Sequence, residues 1–427
     1  MTTPLTAVAD RAVPGVVQPS VGPSVAPRSM PYPYRAMLAI CSDLDETCDL
    51  DTYVETLRFL NTTSARRYGK GMGLETGDSI YFDMPAGHVS YWNSDDRGRA
   101  TIRTLIQSGH IDCLHSFGDL ADTRAHAGRA LEELDRHGCG LEVWIDHAVA
   151  PSNLGADIMR GYGDVPGAAA YHADLSCAFG IHYVWRGRVT SVIGQEVPRR
   201  LGRIFRFQHP FASARTVGKE AAKGALARAG NRRYQMHAPN QVLETAVLRD
   251  GRIVEEFLRS NPHWGGISCG DTAAGLGDVL DTTAPALIAR GACAVLYTHL
   301  GKSSDPRRPL TPRTIAALRR LKDLEAAGKL LVTTTRRLLG YRRAVRGVKW
   351  SATADGGGVR IDIDTRGTRP VLRRRDLDGL TFYVPNPASA AIAVDGTPLK
   401  LIRRNGPDQT GRGSVGVPWT RLEFPAL

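Results

Sequence analysis

The residues best equipped for chemistry lie in Gly109-His110-Ile111-Asp112-Cys113-Leu114-His115-Ser116-Phe117-Gly118-Asp119. An apolar run delivers His115 to its end, and Asp119 comes four residues later. If a helix starts there, an imidazole and a carboxylate at that spacing share one face and can grip one metal ion. Far upstream, a second apolar run ends in Ser42-Asp43-Leu44-Asp45-Glu46. On a strand, Asp43 and Asp45 point to the same side. Asp83, Asp146-His147 and His299 stand at comparable strand ends. A lone strand-end carboxylate is ordinarily a cap or a turn former. Several of them, joined to a His-x-x-x-Asp step, point to a metal-dependent hydrolase.

Such residues need strands to carry them. Buried strands are predicted over 35–41, 79–82, 111–114, 141–145, 292–297 and 330–333. Helices are predicted over 51–60, 95–107, 123–137, 272–290, 311–327 and 335–341, with Gly109 and Gly138 as stops and Pro312 as a start. This alternation predicts an α/β fold with a parallel sheet or barrel, whose active site gathers at the strand C-termini. The middle is less regular, with strands expected at 181–185, 204–207 and 234–237, and a strand or short helix at 252–258. From residue 345 the alternation of apolar and polar residues between turns predicts a small antiparallel β-sandwich. The expected organisation is a disordered Pro-rich tail over 1–33, a catalytic domain over 34–344 and the sandwich over 345–427.

Composition narrows the function classes. A 42% hydrophobic and 23% charged chain is typical of soluble globular proteins, and no apolar run reaches transmembrane length. The N-terminus lacks the basic start and apolar core of a secretory signal, so the expected location is cytoplasmic, with room for peripheral membrane contact. Seven cysteines with no CxxC pair argue against a Cys-based zinc site. From Gly301 onward there are 25 Lys and Arg against 11 Asp and Glu, whereas the rest holds 30 against 32. The last third is therefore expected to carry the basic surface, which suits an anionic membrane face or a phosphate-linked glycan precursor. No nucleic-acid motif accompanies it.

Gly109, His110, Ile111, His115 and Ser116 resemble the second motif of the polysaccharide deacetylase family (carbohydrate esterase family 4), with Asp119 where the family has a final His. Asp43-Leu44-Asp45 resembles the family's first motif, an Asp-Asp pair, with one residue inserted. Leu296-Tyr297-Thr298-His299 resembles the last. The resemblance covers about residues 35 to 343 and implies a distorted (β/α) barrel of the polysaccharide deacetylase type. It further implies a divalent metal held by Asp45, His115 and Asp119, with Asp43 as general base and His299 as acid. Zn²⁺ is the leading metal, and Mn²⁺, Co²⁺, Fe²⁺ or Ni²⁺ suit the same donors. The implied reaction removes an N-acyl group from an amino sugar of a bacterial surface polysaccharide or its precursor.

Weaker candidates surround this set. His147 reads equally as a second-shell partner, a substrate contact or a further ligand, and Asp146 beside it shares that reading. Arg186 and Arg188 follow a strand and can clamp a carboxylate or phosphate. Trp264 can stack on a sugar. Two other classes compete. One is a glycoside hydrolase using two carboxylates such as Asp43 and Asp146, which chelators would spare. The other is a non-catalytic glycan-binding scaffold, which would turn nothing over.

Overall fold

The computed structural model describes residues 25–264, 267–268, 272–368 and 371–427. For residues 263, 264, 267 and 268 only the backbone is described.

The central element is β1 (Ala36–Ser42), whose seven residues are all buried. A strand buried on both faces carries no polar alternation, which is why it reads as an unbroken apolar run. Beside it run β2 (Gly77–Ile80), β3 (Cys113–His115), β4 (Val143–Ile145) and β5 (Tyr183–Trp185), each parallel to the one before. On the other side of β1, β8 (Cys293–Thr298) pairs in parallel from Cys293 opposite Met37 to Thr298 opposite Ser42. Strand β9 (Leu330–Thr333) pairs with the first half of β1, below β2.

The sheet is curled. Strand β6 (Ile253–Phe257) pairs with β5, and β7 (Arg259–Ser260), which follows after one residue, pairs with β8. One short segment thus touches strands reached by opposite routes around the sheet. Side chains sort accordingly. Met37, Ala39, Cys41, Cys113, Val143, Tyr183 and Val295 share one core, while Leu38, Ile40, Ala294 and Leu296 pack outward beneath the helices. This alternation along β1 and β8 shows that the concave side is a packed interior, not a pore.

The helices start and stop on local chemistry. Asp49 accepts from Thr52 N to open the helix Leu50–Asn61. Thr311 accepts from Thr314 N ahead of Pro312. Gly291, in the left-handed region with φ of 63°, ends Ala273–Arg290 and turns the chain into β8. The middle departs from expectation. Residues 204–207 form no strand, 234–237 lie in a 3₁₀ turn, and between them runs a 19-residue helix, Pro210–Arg228.

Beyond the helix Thr335–Gly347, two small sheets share a core of Ile361, Ile363, Leu380, Phe382, Ile392 and Val415. The expected purely antiparallel sandwich needs one correction, because Gly358–Asp364 and Ala390–Val394 pair in parallel. The tail also needs one. Residues 1–24 lie outside the described residues, but Ala26–Pro27 pairs with Thr381–Tyr383 and so belongs to the C-terminal sheets. Among the described residues, no helix is long and apolar enough to cross a membrane. All six described cysteines are free.

Candidate metal centre

The C-terminal ends of β1, β3, β4 and β8 deliver Asp43 and Asp45, His115, His147, and His299 to one place. Donor atoms of Asp45, His115 and His147 all lie within 4.8 Å of one another, as do those of Asp43, Asp45 and His299. Asp45 is the shared member. Its Oδ1 is 3.2 Å from His147 Nε2 and its Oδ2 is 3.3 Å from His299 Nε2.

The backbone bends sharply at these positions. Glu46, Ser116 and Ala148, which directly follow Asp45, His115 and His147, have φ values of 61°, 49° and 39°. Left-handed backbone costs an L-residue roughly 1–2 kcal/mol, so three such residues behind three donors mark strain held in place by the surrounding structure. The residue inserted between the two carboxylates is accommodated by burial. Leu44 packs among Tyr53, Leu57 and Ile80 and leaves Asp43 and Asp45 facing the centre.

One assignment is corrected. The chain after His115 does not enter a helix. It turns through Ser116 and Gly118 (φ 101°), and a Cβ on Gly118 would meet Asp83 O at 2.2 Å. The next helix begins only at Arg124. Asp119 is thereby displaced from the expected ligand position, and its Oδ1 is 2.8 Å from His147 Nδ1. Asp119 orients an imidazole whose Nε2 faces Asp45. His147, and not Asp119, places a donor atom within 4.8 Å of those of Asp45 and His115.

The electrostatics suit a cation. Burial holds the His115 pKa down at about 4, against the pull of Asp43 and Asp45, so its lone pair is free near neutral pH. Burial opposes charge on His147 too, but hydrogen bonds and charge from Asp45 and Asp119 outweigh it and raise the pKa. Asp45 is also desolvated, yet His147, His299 and His115 hold its carboxyl well below the usual range. Tyr81 OH donates to Asp45 Oδ1 at 2.6 Å, and its ring stacks on His115 with centroids 4.5 Å apart.

Arg259, which the sequence reading did not single out, is the cation of the site. It is fully buried, donates to Asp43 Oδ1 at 2.7 Å, and lies between the rings of Trp185 and Tyr297 at 4.3 and 4.2 Å. The other oxygen of Asp43 is 3.8 Å from His115 Nε2. The signal was present, since an arginine that continues the strand run Ile253-Val254-Glu255-Glu256-Phe257-Leu258 demands a buried acidic partner.

Other candidates fall outside the donor set. Asp146 is fully buried and accepts from Trp144 Nε1 and Leu154 N, so it anchors the loop behind His147 and is no substrate contact. Asn153 completes that anchor by accepting from His147 N at 2.8 Å. Arg186 and Arg188 are not an open clamp. Both pair with the buried Glu256, and Arg188 also pairs with Asp157. The side chain of Trp264 lies outside the described residues.

Models of known protein families give no match to this chain, and curated proteins give none. The functional reading therefore rests on the chemistry of the centre itself.

Proposed function

We propose that the protein is a metal-dependent hydrolase that removes an N-acyl group from an amino sugar of a bacterial surface polysaccharide or its precursor. The observation that carries this reading is the convergence of Asp45, His115 and His147 beside an Asp43 gripped by Arg259. The resemblance of the His115 and Asp43 motifs to polysaccharide deacetylases supports the acyl-amide substrate. The curled parallel sheet agrees with a distorted barrel of that type.

The donor set fits a divalent ion, with Zn²⁺ first among the borderline metals. It offers one carboxylate and two imidazoles, one imidazole kept neutral by burial and the other held through Nδ1 by a carboxylate, as metal-bound histidines usually are. When bound, such an ion supplies Lewis acidity that activates water and stabilises a developing oxyanion. The chain supplies the proton traffic. Asp43, with one oxygen committed to Arg259, keeps its other oxygen to take the proton of the attacking water. His299, on the far side of Asp45 and in reach of Tyr297 OH at 3.3 Å, returns a proton to the departing amine nitrogen. Tyr81 and Asp119 fix the directions of Asp45 and His147.

Turnover of N-acetylated amino-sugar oligomers by metal-loaded protein, lost on chelation and regained on adding Zn²⁺, is the expected result. A protein that binds no divalent ion, or that keeps its turnover with His115→Ala, would sink the reading. Chelator-resistant cleavage of glycosidic bonds would favour the glycosidase instead.

A further inference from the structure

The helix Pro210–Arg228 is built inside out. Its buried positions are Ser213, Thr216, Glu220 and Gly224, a polar or minimal stripe at helical spacing. Glu220 anchors the stripe, accepting from Thr190 Oγ1 at 2.8 Å, Ser191 N at 3.1 Å and Lys223 Nζ at 2.7 Å. The outward positions include Phe211, Ala214, Ala221, Ala222, Ala225 and Leu226. Phe211 is 92% exposed and Phe207, just before the helix, is 88% exposed. An amphipathic helix ordinarily turns its apolar side to the core. Here the buried stripe is polar, and the apolar residues lie outward, interleaved with Arg215, Lys219 and Arg228.

The charge around it is one-sided. Residues 199–233 hold ten Lys and Arg and a single carboxylate, Glu220, which is buried and already bound. Arg203, Arg215, Lys219 and Arg228 are all exposed. Arg290, from the neighbouring helix, donates to Pro198 O and adds to the same patch. In the basic last third, several arginines are matched. Arg336, Arg337, Arg342, Arg373, Arg375 and Arg421 all pair with carboxylates. The last third keeps its excess of Lys and Arg, and residues 199–233 form a second basic stretch in which carboxylates are scarcer still.

We infer that residues 199–233 form a docking surface for an anionic lipid bilayer, with Phe207 and Phe211 entering the headgroup boundary and the flanking Lys and Arg meeting acidic headgroups. Charge complementarity selects this occupant. A second copy would set like charges opposite each other across a symmetric contact. A nucleic acid would satisfy the charge but leave the alanine and leucine face uncovered. The inference is independent of the proposed hydrolysis, because none of these residues belongs to the metal centre.

The test uses the full chain and sedimentation with vesicles, either phosphatidylcholine alone or an equal mixture with phosphatidylglycerol. Binding to the mixed vesicles, weak on the neutral ones and falling with added salt, is expected. Phe207→Ser with Phe211→Ser should lower partitioning on the order of tenfold or more, given the apolar area each ring would bury. Arg215→Glu with Lys219→Glu should erase the preference for acidic lipid. Phe211→Trp should shift emission to the blue when mixed vesicles are added, reporting insertion. Thermal melting and metal content confirm that each variant is folded. Equal binding of wild type and the double Phe variant would overturn the proposal. So would a concentration-dependent dimer abolished by Phe211→Ser, or tighter binding to single-stranded homopolynucleotides than to mixed vesicles.

Discussion

The two ends of the parallel sheet use the same residue types for opposite ends. Where β1, β3, β4 and β8 finish, Asp43, Asp45, Asp119, His115, His147 and His299 cluster, and among the described residues the arginine paired with them is Arg259, through Asp43. Where β2, β3 and β4 begin, Glu75, Asp112 and Glu142 are each met by arginine or its backbone. Arg337 binds Glu75 through both carboxylate oxygens, Arg336 N donates to Asp112, and Arg336, Arg373 and Arg375 converge on Glu142. One end is saturated with cations, and the other has donors in excess of them. Glu75, Asp112 and Glu142 fasten the helix Thr335–Gly347 and the C-terminal sheets to the curled sheet. Those at the strand C-termini sit in clusters that could hold a metal ion. Partner stoichiometry, not burial or residue type, separates scaffold from site.

The largest effect expected from this contrast is at His115. Replacing it with alanine should remove bound metal, read by elemental analysis, and cut turnover by more than the ~10–100-fold that loss of an outer partner costs. Metal retained at wild-type stoichiometry would break the contrast.

The next test removes one charged member from each end. Arg259→Leu leaves Asp43 buried and unpaired, whereas Glu142→Ala removes one of two carboxylate partners of Arg336, which keeps Asp376. The first should cost about 3–5 kcal/mol in denaturant unfolding, the usual result of orphaning a buried charge, and the second less, because Arg336 stays paired. Arg373 and Arg375 are about half exposed and should add little to the second figure. The two variants should then part company, because Glu142→Ala should keep both metal and turnover. Arg259→Leu should keep metal but lose turnover, since Asp43 is no longer held. If Arg259→Leu does not fold, the same split is sought with Arg259→Lys.

The ends also tilt the acid stability of the chelated protein in opposite senses. Burial raises Asp112 from 3.8 to about 6, so the fold favours its protonated form. That contribution is full below the unfolded pKa and is lost as pH rises through about 6. Burial lowers His115 from 6.5 to about 4, so the fold favours its neutral form, and stability is lost as pH falls from 6.5 toward 4. Each shift is worth about 3 kcal/mol. Compared with wild type, Asp112→Asn should steepen the loss on acidification and His115→Gln should relieve it. Matching slopes in both variants would contradict the assigned protonation states.

The sequence reveals much of this frame but little of what crosses it. Strands such as Ala36–Ser42 and Cys293–Thr298, and helices such as Asp96–Gln107, were legible because local hydrophobic period and caps determine them. The strand-end position of Asp45, His115, His147 and His299 was legible for the same reason. For Arg259 only the need for an acidic partner was legible, not which one, because Asp43 lies 216 residues away. The helix Pro210–Arg228 was not legible, because its buried stripe is polar and gives no apolar period to find. The spacing of His115 and Asp119 suggested a helix that two left-handed residues, Ser116 and Gly118, forbid.

Asp119 offers the smallest and most discriminating test. As the orienting partner of His147 Nδ1, it needs only an acceptor oxygen, which asparagine also offers. Asp119→Asn should therefore change metal affinity less than tenfold, while Asp119→Ala should weaken it ~10–100-fold, the range for loss of an outer-sphere partner. A direct ligand behaves differently, because an amide is a poor substitute for a carboxylate on the ion, and Asn would then cost nearly as much as Ala. Competition titrations of both variants with a chromophoric chelator separate the cases. A wide gap between Asn and Ala keeps Asp119 outside the donor set and His147 within it. Near-equal losses would return Asp119 to the role its sequence position first suggested.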